Sequence, residues 1–376
     1  MTAWRDRLGV PRDRFIPPEV WVDDPVTGGF VSVSRKIDQA RWRELVEADE
    51  PIITQVDDGK TRPGAVGFQP TSSCSKPSLV ADMLDALQVE DGHRVLEIGT
   101  GTGWNAANLR ERVGDDGQVT SLEVDLELAE QAVRALTGAG SAVLVVTADG
   151  TKGYPDRAPY DRLIATASVR RVPRAWIEQA VPGAVIVTPW GTDYCNGTLL
   201  RLTVPGDGSA WGRCGKNLRF MRVRDQRREF LDPSGAEISG ADKGTTLRSA
   251  RELFEMTEFS RAAFTIGLRV PSCYLTIEDI DADHRHIELH DVRTASWARV
   301  VMARGADFEI YQLGPRRLWD EADAAYAWWL ESGLPSPDRY GLTVTVNGTH
   351  EVWLDEPTSE HRWTVQGLKP GGGCSP

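Results

Sequence analysis

Cysteine is scarce and unpatterned. It occurs five times in 376 residues, at Cys74, Cys195, Cys214, Cys273 and Cys374. The number is odd and no two are spaced C-x-x-C, which speaks against a disulfide framework and against a zinc knot. Long apolar runs are missing too, and nothing approaches the ~20 residues that a membrane-spanning helix needs. The opening MTAWRDRLGVPRDRF is charged and has no apolar block of the kind that directs secretion, so a cytoplasmic protein without a membrane partner is expected. Positive charge is in short supply, with 43 Lys and Arg against 55 Asp and Glu and a formal net charge of -12. Such a surface repels nucleic acid at long range, so no nucleic-acid partner is expected. Histidine gathers only at His284, His286 and His290, without a known ligand spacing. That stretch reads as a polar strand and turn, and no metal is expected.

What is present is an ordinary globular mixture, 40% hydrophobic and 26% charged, in three stretches of different pattern. Residues 1–70 are proline-rich and form a flanking region. Residues 71–212 alternate short apolar strands with helical segments. Residues 213–376 lose that alternation, read as an additional α+β domain for substrate recognition, and end in a low-complexity tail at Pro370–Pro376, expected to be disordered. In the middle stretch, strands are predicted at 94–98, 119–124, 142–147, 161–166 and 184–188. A helix is predicted over 126–137, capped by Asp125 and closed by Gly138 or Gly140. Strand and helix in alternation imply a parallel, doubly wound α/β sheet of Rossmann-like type. Ligands of such sheets bind at the carboxyl ends of the strands, where the strand order reverses.

The first predicted strand runs into Glu97-Ile98-Gly99-Thr100-Gly101-Thr102-Gly103. Glycines there let the backbone turn tightly and let a ligand approach the main chain. The spacing is GxGxG, not the GxGxxG of dinucleotide sites. A glutamate two places before the first glycine suits a cationic ligand better than a pyrophosphate. Glu123 closes the second strand beside Val124, where a carboxylate can accept both hydroxyls of a ribose. Asp149-Gly150 follows the third, within reach of an adenine amino group. Singly, each has a structural reading as a tight turn or a helix cap. In this order they point to S-adenosylmethionine, with Glu97, Gly99, Thr100, Gly101, Gly103, Glu123, Val124, Asp149 and Gly150 as its site.

These segments, with Ala158-Pro159-Tyr160-Asp161 and Val181-Pro-Gly-Ala184, resemble the protein-L-isoaspartate O-methyltransferase family, and the likeness covers about 70–212. The resemblance implies a class I methyltransferase fold, S-adenosylmethionine turned over to S-adenosylhomocysteine, and carboxyl methylation. It also implies that Ser72-Ser-Cys-Ser75-Lys76-Pro77 is the substrate segment, with Ser75 matching the family's carboxylate-binding serine and Ser73 and Lys76 beside it. Ser75 has a structural reading as well, as the cap of a helix whose apolar stripe is Leu79, Val80, Met83, Leu84 and Leu87.

There are departures. Ser78 stands where the repair enzymes carry His or Tyr. The loop after the fourth strand reads Ala167-Ser-Val-Arg170-Arg171-Val-Pro173, and the chain continues well past 212. These features, with Thr54–Gly59, look like a divergent subgroup that methylates an aspartate of a modified precursor peptide, a graspetide or a lanthipeptide, on the way to a succinimide. Arg170 and Arg171 are expected to face that peptide. Arg219, Arg222, Arg224, Arg227 and Arg228 either grip an acidic peptide or form a solvated surface. The alternatives are a general isoaspartyl repair enzyme and a non-enzymatic scaffold that has kept the cofactor fold.

Overall fold

The computed structural model describes residues 4–230, 232–303 and 307–365. The tail at Pro370–Pro376 and Cys374 lie outside the described residues. Strands β1 (Glu19–Asp24), β2 (Gly29–Ser34), β3 (Ile52–Val56) and β4 (Pro70–Cys74) form an antiparallel sheet in the order β2-β1-β3-β4, with α1 (Gln39–Glu47) between β2 and β3. Helix α2 (Pro77–Leu87) leads from β4 into the alternating region: β5 (Arg94–Ile98), α3 (Trp104–Arg112), β6 (Gln118–Glu123), α4 (Leu126–Gly138), β7 (Leu144–Thr147), β8 (Tyr160–Ala165), α5 (Arg174–Glu178) and β9 (Ala180–Trp190).

The five strands run parallel in the order β7-β6-β5-β8-β9, the doubly wound arrangement expected from their alternation with helices. Consecutive residues supply opposite faces. Val95, Ile164, Val185 and Val187 join one core with Val80, Leu84, Trp104 and Leu109. Leu96, Leu163, Ala165 and Ile186 join the other with Trp176 and Ile177. Asp125 caps α4 by accepting from the N–H groups of Glu127 and Leu128.

Beyond β9 the chain departs from three independent stretches. β10 (Thr198–Val204) and β11 (Ala210–Asn217) continue the same sheet antiparallel, so a division at 212 runs through β11, just as one at 70 touches β4. After α6 (Gly235–Ser239) comes a separate antiparallel sheet. Its strands are β12 (Asp242–Thr246), β13 (Cys273–Asp279), β14 (His284–Asp291), β15 (Trp297–Ala303) and β16 (Phe308–Leu313), in the order β12-β16-β15-β14-β13. Helices α7 (Ala250–Thr257), α8 (Arg261–Arg269) and α9 (Leu318–Glu331) accompany it.

The chain then returns. β17 (Tyr340–Val344) pairs with β11 and is followed by β18 (His350–Leu354) and β19 (Arg362–Thr364), which makes ten strands in the central sheet. Phe264 of α8 lies between Trp190 of β9 and Tyr340 of β17, at ring-centroid distances of 6.2 and 5.7 Å, so the appended sheet shares one core with the central one. Among the described residues, no helix is long and apolar enough to cross a membrane.

Candidate active site

Strand order reverses at β5, flanked by β6 on one side and β8 on the other, and a cleft of about 1010 Å³ opens at the carboxyl ends of these strands. Gly99 and Gly101 turn the chain away from β5 with φ of +90° and +52°. At Gly99 a Cβ would also stand 3.0 Å from Thr166 Oγ1. Glu123 at the end of β6 is nearly buried yet lines the cleft. Its two oxygens accept from the N–H of Gly101 at 2.9 Å and of Asp125 at 3.2 Å. Burial raises its pKa, and those two N–H bonds oppose the rise. Val124, Asp149 and Gly150 line the same wall with Ile98, Leu122 and Leu128. Asp149 accepts through Oδ1 from the N–H and hydroxyl of Thr151.

Three of the nine residues assigned to the cofactor stand behind this wall. Glu97 is fully buried, and its carboxylate accepts from Asn105 Nδ2 at 2.7 Å and from the Ser121 hydroxyl. Burial pushes its pKa up to about 7. Thr100 Oγ1 meets Ser121 Oγ at 2.6 Å, and a Cβ on Gly103 would meet Leu136 and Ala132. A position two before the glycines is the inward-facing position of β5, so Glu97 ties β5, β6 and α3 together beneath the loop instead of facing the ligand.

On the substrate side, Ser73, Ser75, Lys76 and Ser78 all line the cleft. The cap reading of Ser75 fails, because α2 begins at Pro77 and its N-cap is Lys76, whose own side chain makes no capping bond. The first free N–H of the helix, that of Ser78, is taken by Asp49 Oδ1 at 2.8 Å. Lys76 reaches Glu50 at 3.3 Å.

Arg170 and Arg171 do not reach the cleft. Arg170 pairs with Asp193 at 3.2 Å, both N–H groups of the pair are held by Gln226 Oε1, and Arg171 Nη2 donates to Gly348 O at 3.4 Å. The reason is segment 218–227, a strap that lines the cleft and lies over the loop after β8. It is held to the loop after β8 by Ser168 N–H on Met221 O and Val223 N–H on Ser168 O. Arg224 clasps Asp125 at 2.8 Å and Asp58 at 3.2 Å, and Arg227 clasps Asp58 at 2.9 Å. Burial raises the Asp125 pKa, but hydrogen bonds from Arg224 and Gln55 outweigh it and hold the carboxyl below its usual value. The sequence marked this arginine cluster but gave no means of telling structural members from free ones.

A family model for protein-L-isoaspartate(D-aspartate) O-methyltransferase matches residues 58–228, which include the GxGxG turn, the Ser75 segment and the strap that lines the cleft. A protein-L-isoaspartate O-methyltransferase of Pyrococcus horikoshii is 37% identical over 170 residues, which are 45% of this chain and 70% of that protein. The chain belongs to the protein-L-isoaspartate O-methyltransferase family.

The family's counterpart from Ignicoccus hospitalis is 45% identical over 116 residues, 31% of this chain and 55% of its own length. This chain thus spans little more than half of that relative. A solved protein-L-isoaspartate O-methyltransferase aligns over 92% of both chains at 21% identity, with a TM-score of 0.49. The family depends on S-adenosylmethionine, and the cleft suits it. A nearly buried carboxylate ends β6, left-handed glycines clear the wall beside it, and apolar Ile98, Leu122 and Leu128 lie between that carboxylate and Asp149.

Elsewhere, His290 of β14 has one ring nitrogen 3.4 Å from Glu288 and the other 3.7 Å from Asp232, a grouping in which His284 and His286 take no part. Glu288 is already held by Arg299 at 2.6 Å and by Trp297.

Proposed function

We propose that this chain methylates the carboxylate of an isoaspartyl residue in a peptide or protein. The observation that carries the reading is that Ser75, spent on no cap, opens into the same cleft as Glu123 and the glycine turn. Bound S-adenosylmethionine supplies an electrophilic methyl group on a sulfonium. Glu123 accepts from the ribose hydroxyls, Asp149 from the adenine amino group, and Gly99 and Gly101 let the ligand lie against the main chain. A carboxylate is ionised at neutral pH and needs no base, so the chain's work is alignment and exclusion of water. This fits a cleft that carries four serines beside its charged and apolar lining, with no histidine or cysteine among its described lining residues. Ser75 donates its hydroxyl to the incoming carboxylate. In the ester, the next residue's backbone nitrogen attacks the carbonyl, methoxide leaves, and a five-membered imide closes.

A second reading, methylation of an ordinary aspartate in a macrocyclic graspetide or lanthipeptide precursor, is favoured by one feature. The loop between α7 and α8 of the appended unit touches a residue of the cleft, with the Phe259 ring centroid 5.3 Å from the Arg219 guanidinium. Intact-mass spectrometry of an isoaspartyl peptide and of a modified precursor, each with enzyme and S-adenosylmethionine, separates the two. A methyl gain on the isoaspartyl peptide is expected. A methyl gain followed by loss of methanol, a net loss of water, on the precursor alone would replace the first reading with the second.

Ser75→Ala is expected to lower kcat by about tenfold to a hundredfold, the loss of one hydrogen bond to a charged group, and to leave the Kd for S-adenosylmethionine unchanged. Single-turnover rates with calorimetry test this, and unaltered turnover would remove Ser75 from the substrate site.

A further inference from the structure

The five arginines of the strap divide sharply by partner. Arg224 and Arg227 are committed to Asp58 and Asp125, and Arg228 to Asp193. Arg222 is half-buried and donates to the carbonyls of Gly191 and Thr192, with loss of solvent pushing its pKa down to about 10. Among the described residues, Arg219 alone of the five has no carboxylate or carbonyl partner. It is exposed, lines the cleft and lies over the ring of Phe259. Lys76, which also lines the cleft, is paired with Glu50, and Lys216, just before Asn217, is paired with Asp82. Beside Arg219, Asn217 also lines the cleft, and its buried Oδ1 has no hydrogen-bond partner. A buried amide oxygen left without a donor is costly, and the backbone N–H of a bound peptide would satisfy it.

We propose that Arg219 and Asn217 form a recognition subsite for an acidic residue neighbouring the methylated one, so that the cleft selects acidic peptides. The inference rests on the peptide-methylating reading above, and adds the substrate's charge. In a protein of net charge -12, an acidic peptide is repelled at long range, so discrimination has to come from a local contact. Arg219 provides that contact, since a guanidinium can meet a carboxylate with two parallel hydrogen bonds and here stacks on an aromatic face that limits its freedom. Asn217 sets the main chain of the peptide by accepting its N–H.

The test uses binding, so that it does not depend on turnover. The full chain, loaded with S-adenosylhomocysteine, is titrated against a fluorescein-labelled isoaspartyl hexapeptide flanked by glutamates and against its glutamine twin, with anisotropy as the readout. Wild type is expected to bind the acidic peptide about tenfold more tightly at low salt, with the ratio shrinking as salt rises. Arg219→Gln is expected to bring the ratio to about one, and Arg219→Lys to keep part of it. Circular dichroism melting of each variant checks its folding. A ratio unchanged in Arg219→Gln, equal binding of both peptides by wild type, or a loss confined to S-adenosylhomocysteine affinity would overturn the proposal. Discrimination by wild type that Arg219→Gln abolishes, with no methyl transfer to either peptide, would sustain it while overturning the proposed reaction.

Discussion

Glu123→Gln is expected to weaken S-adenosylmethionine binding about a hundredfold. Both carboxylate oxygens of Glu123 already accept main-chain N–H groups, from Gly101 and Asp125. An amide of the same shape turns one acceptor into an NH2, which then faces a donor and leaves a buried N–H unpaired, at a cost of about 1–3 kcal/mol. That cost falls on free and bound protein alike and lowers stability, whereas loss of the charged acceptor for a ribose hydroxyl, worth about 1.5–3 kcal/mol, lowers affinity by up to about two decades. Calorimetric titration with S-adenosylmethionine measures it, and a Kd within twofold of wild type would displace Glu123 from the site. The wild-type affinity also carries a pH signature. Burial raises the Glu123 pKa, so mildly acid solution protonates the acceptor, and affinity is expected to fall as pH is lowered through that raised value.

Glu97→Gln is expected to change how stability depends on pH. Folded Glu97 holds a proton up to about pH 7, because its carboxyl is wholly buried, against an ordinary value of 4.5. The folded state therefore binds the proton more tightly than the unfolded chain. The resulting stabilisation is full below the ordinary value and is lost as pH rises through about 7. The loss is up to about 3 kcal/mol. Glutamine at 97 does not ionise, and its amide can accept from Asn105 and donate to Ser121. Urea unfolding of the two proteins at pH 5 and pH 8 is the measurement, because the difference between them cancels the titration of every other group. Parallel pH profiles would show that Glu97 stays ionised in the fold.

The parallel strands were legible because most are buried on both faces and leave short apolar runs, and the first three run into Gly99, Glu123 and Asp149. The segment 94–98 coincides with β5, and the predicted start of α4 coincides with its Asp125 cap. Gly99, Gly101, Glu123, Val124, Asp149 and Gly150 reach the cleft because strand ends of one doubly wound sheet open to one side. Glu97 was misread for a reason of the same kind. A carboxylate beside a glycine turn looks like a ligand group in a linear chain, while the alternation of side chains along β5 turns it inward, where only Asn105 and Ser121 can satisfy it. Arg170 and Arg171 were misread because the strap from 218 to 227, some 50 residues downstream, lies over the loop that carries them.

By itself, then, the sequence determined the family, the parallel core and the wall of the cleft, all of which follow from local pattern: apolar period, glycine spacing after β5 and the acids Glu123 and Asp149. Only the tertiary structure decided that β17, β18 and β19 return to the central sheet, that four strap arginines are committed to structural partners, and that Arg219 is left facing the cleft. The physical reason is that hydrogen-bonding edges and ion pairs are chosen among all groups brought within a few ångströms. That proximity belongs to the packed chain, and residues as far apart as Asp58 and Arg227 acquire it only on folding.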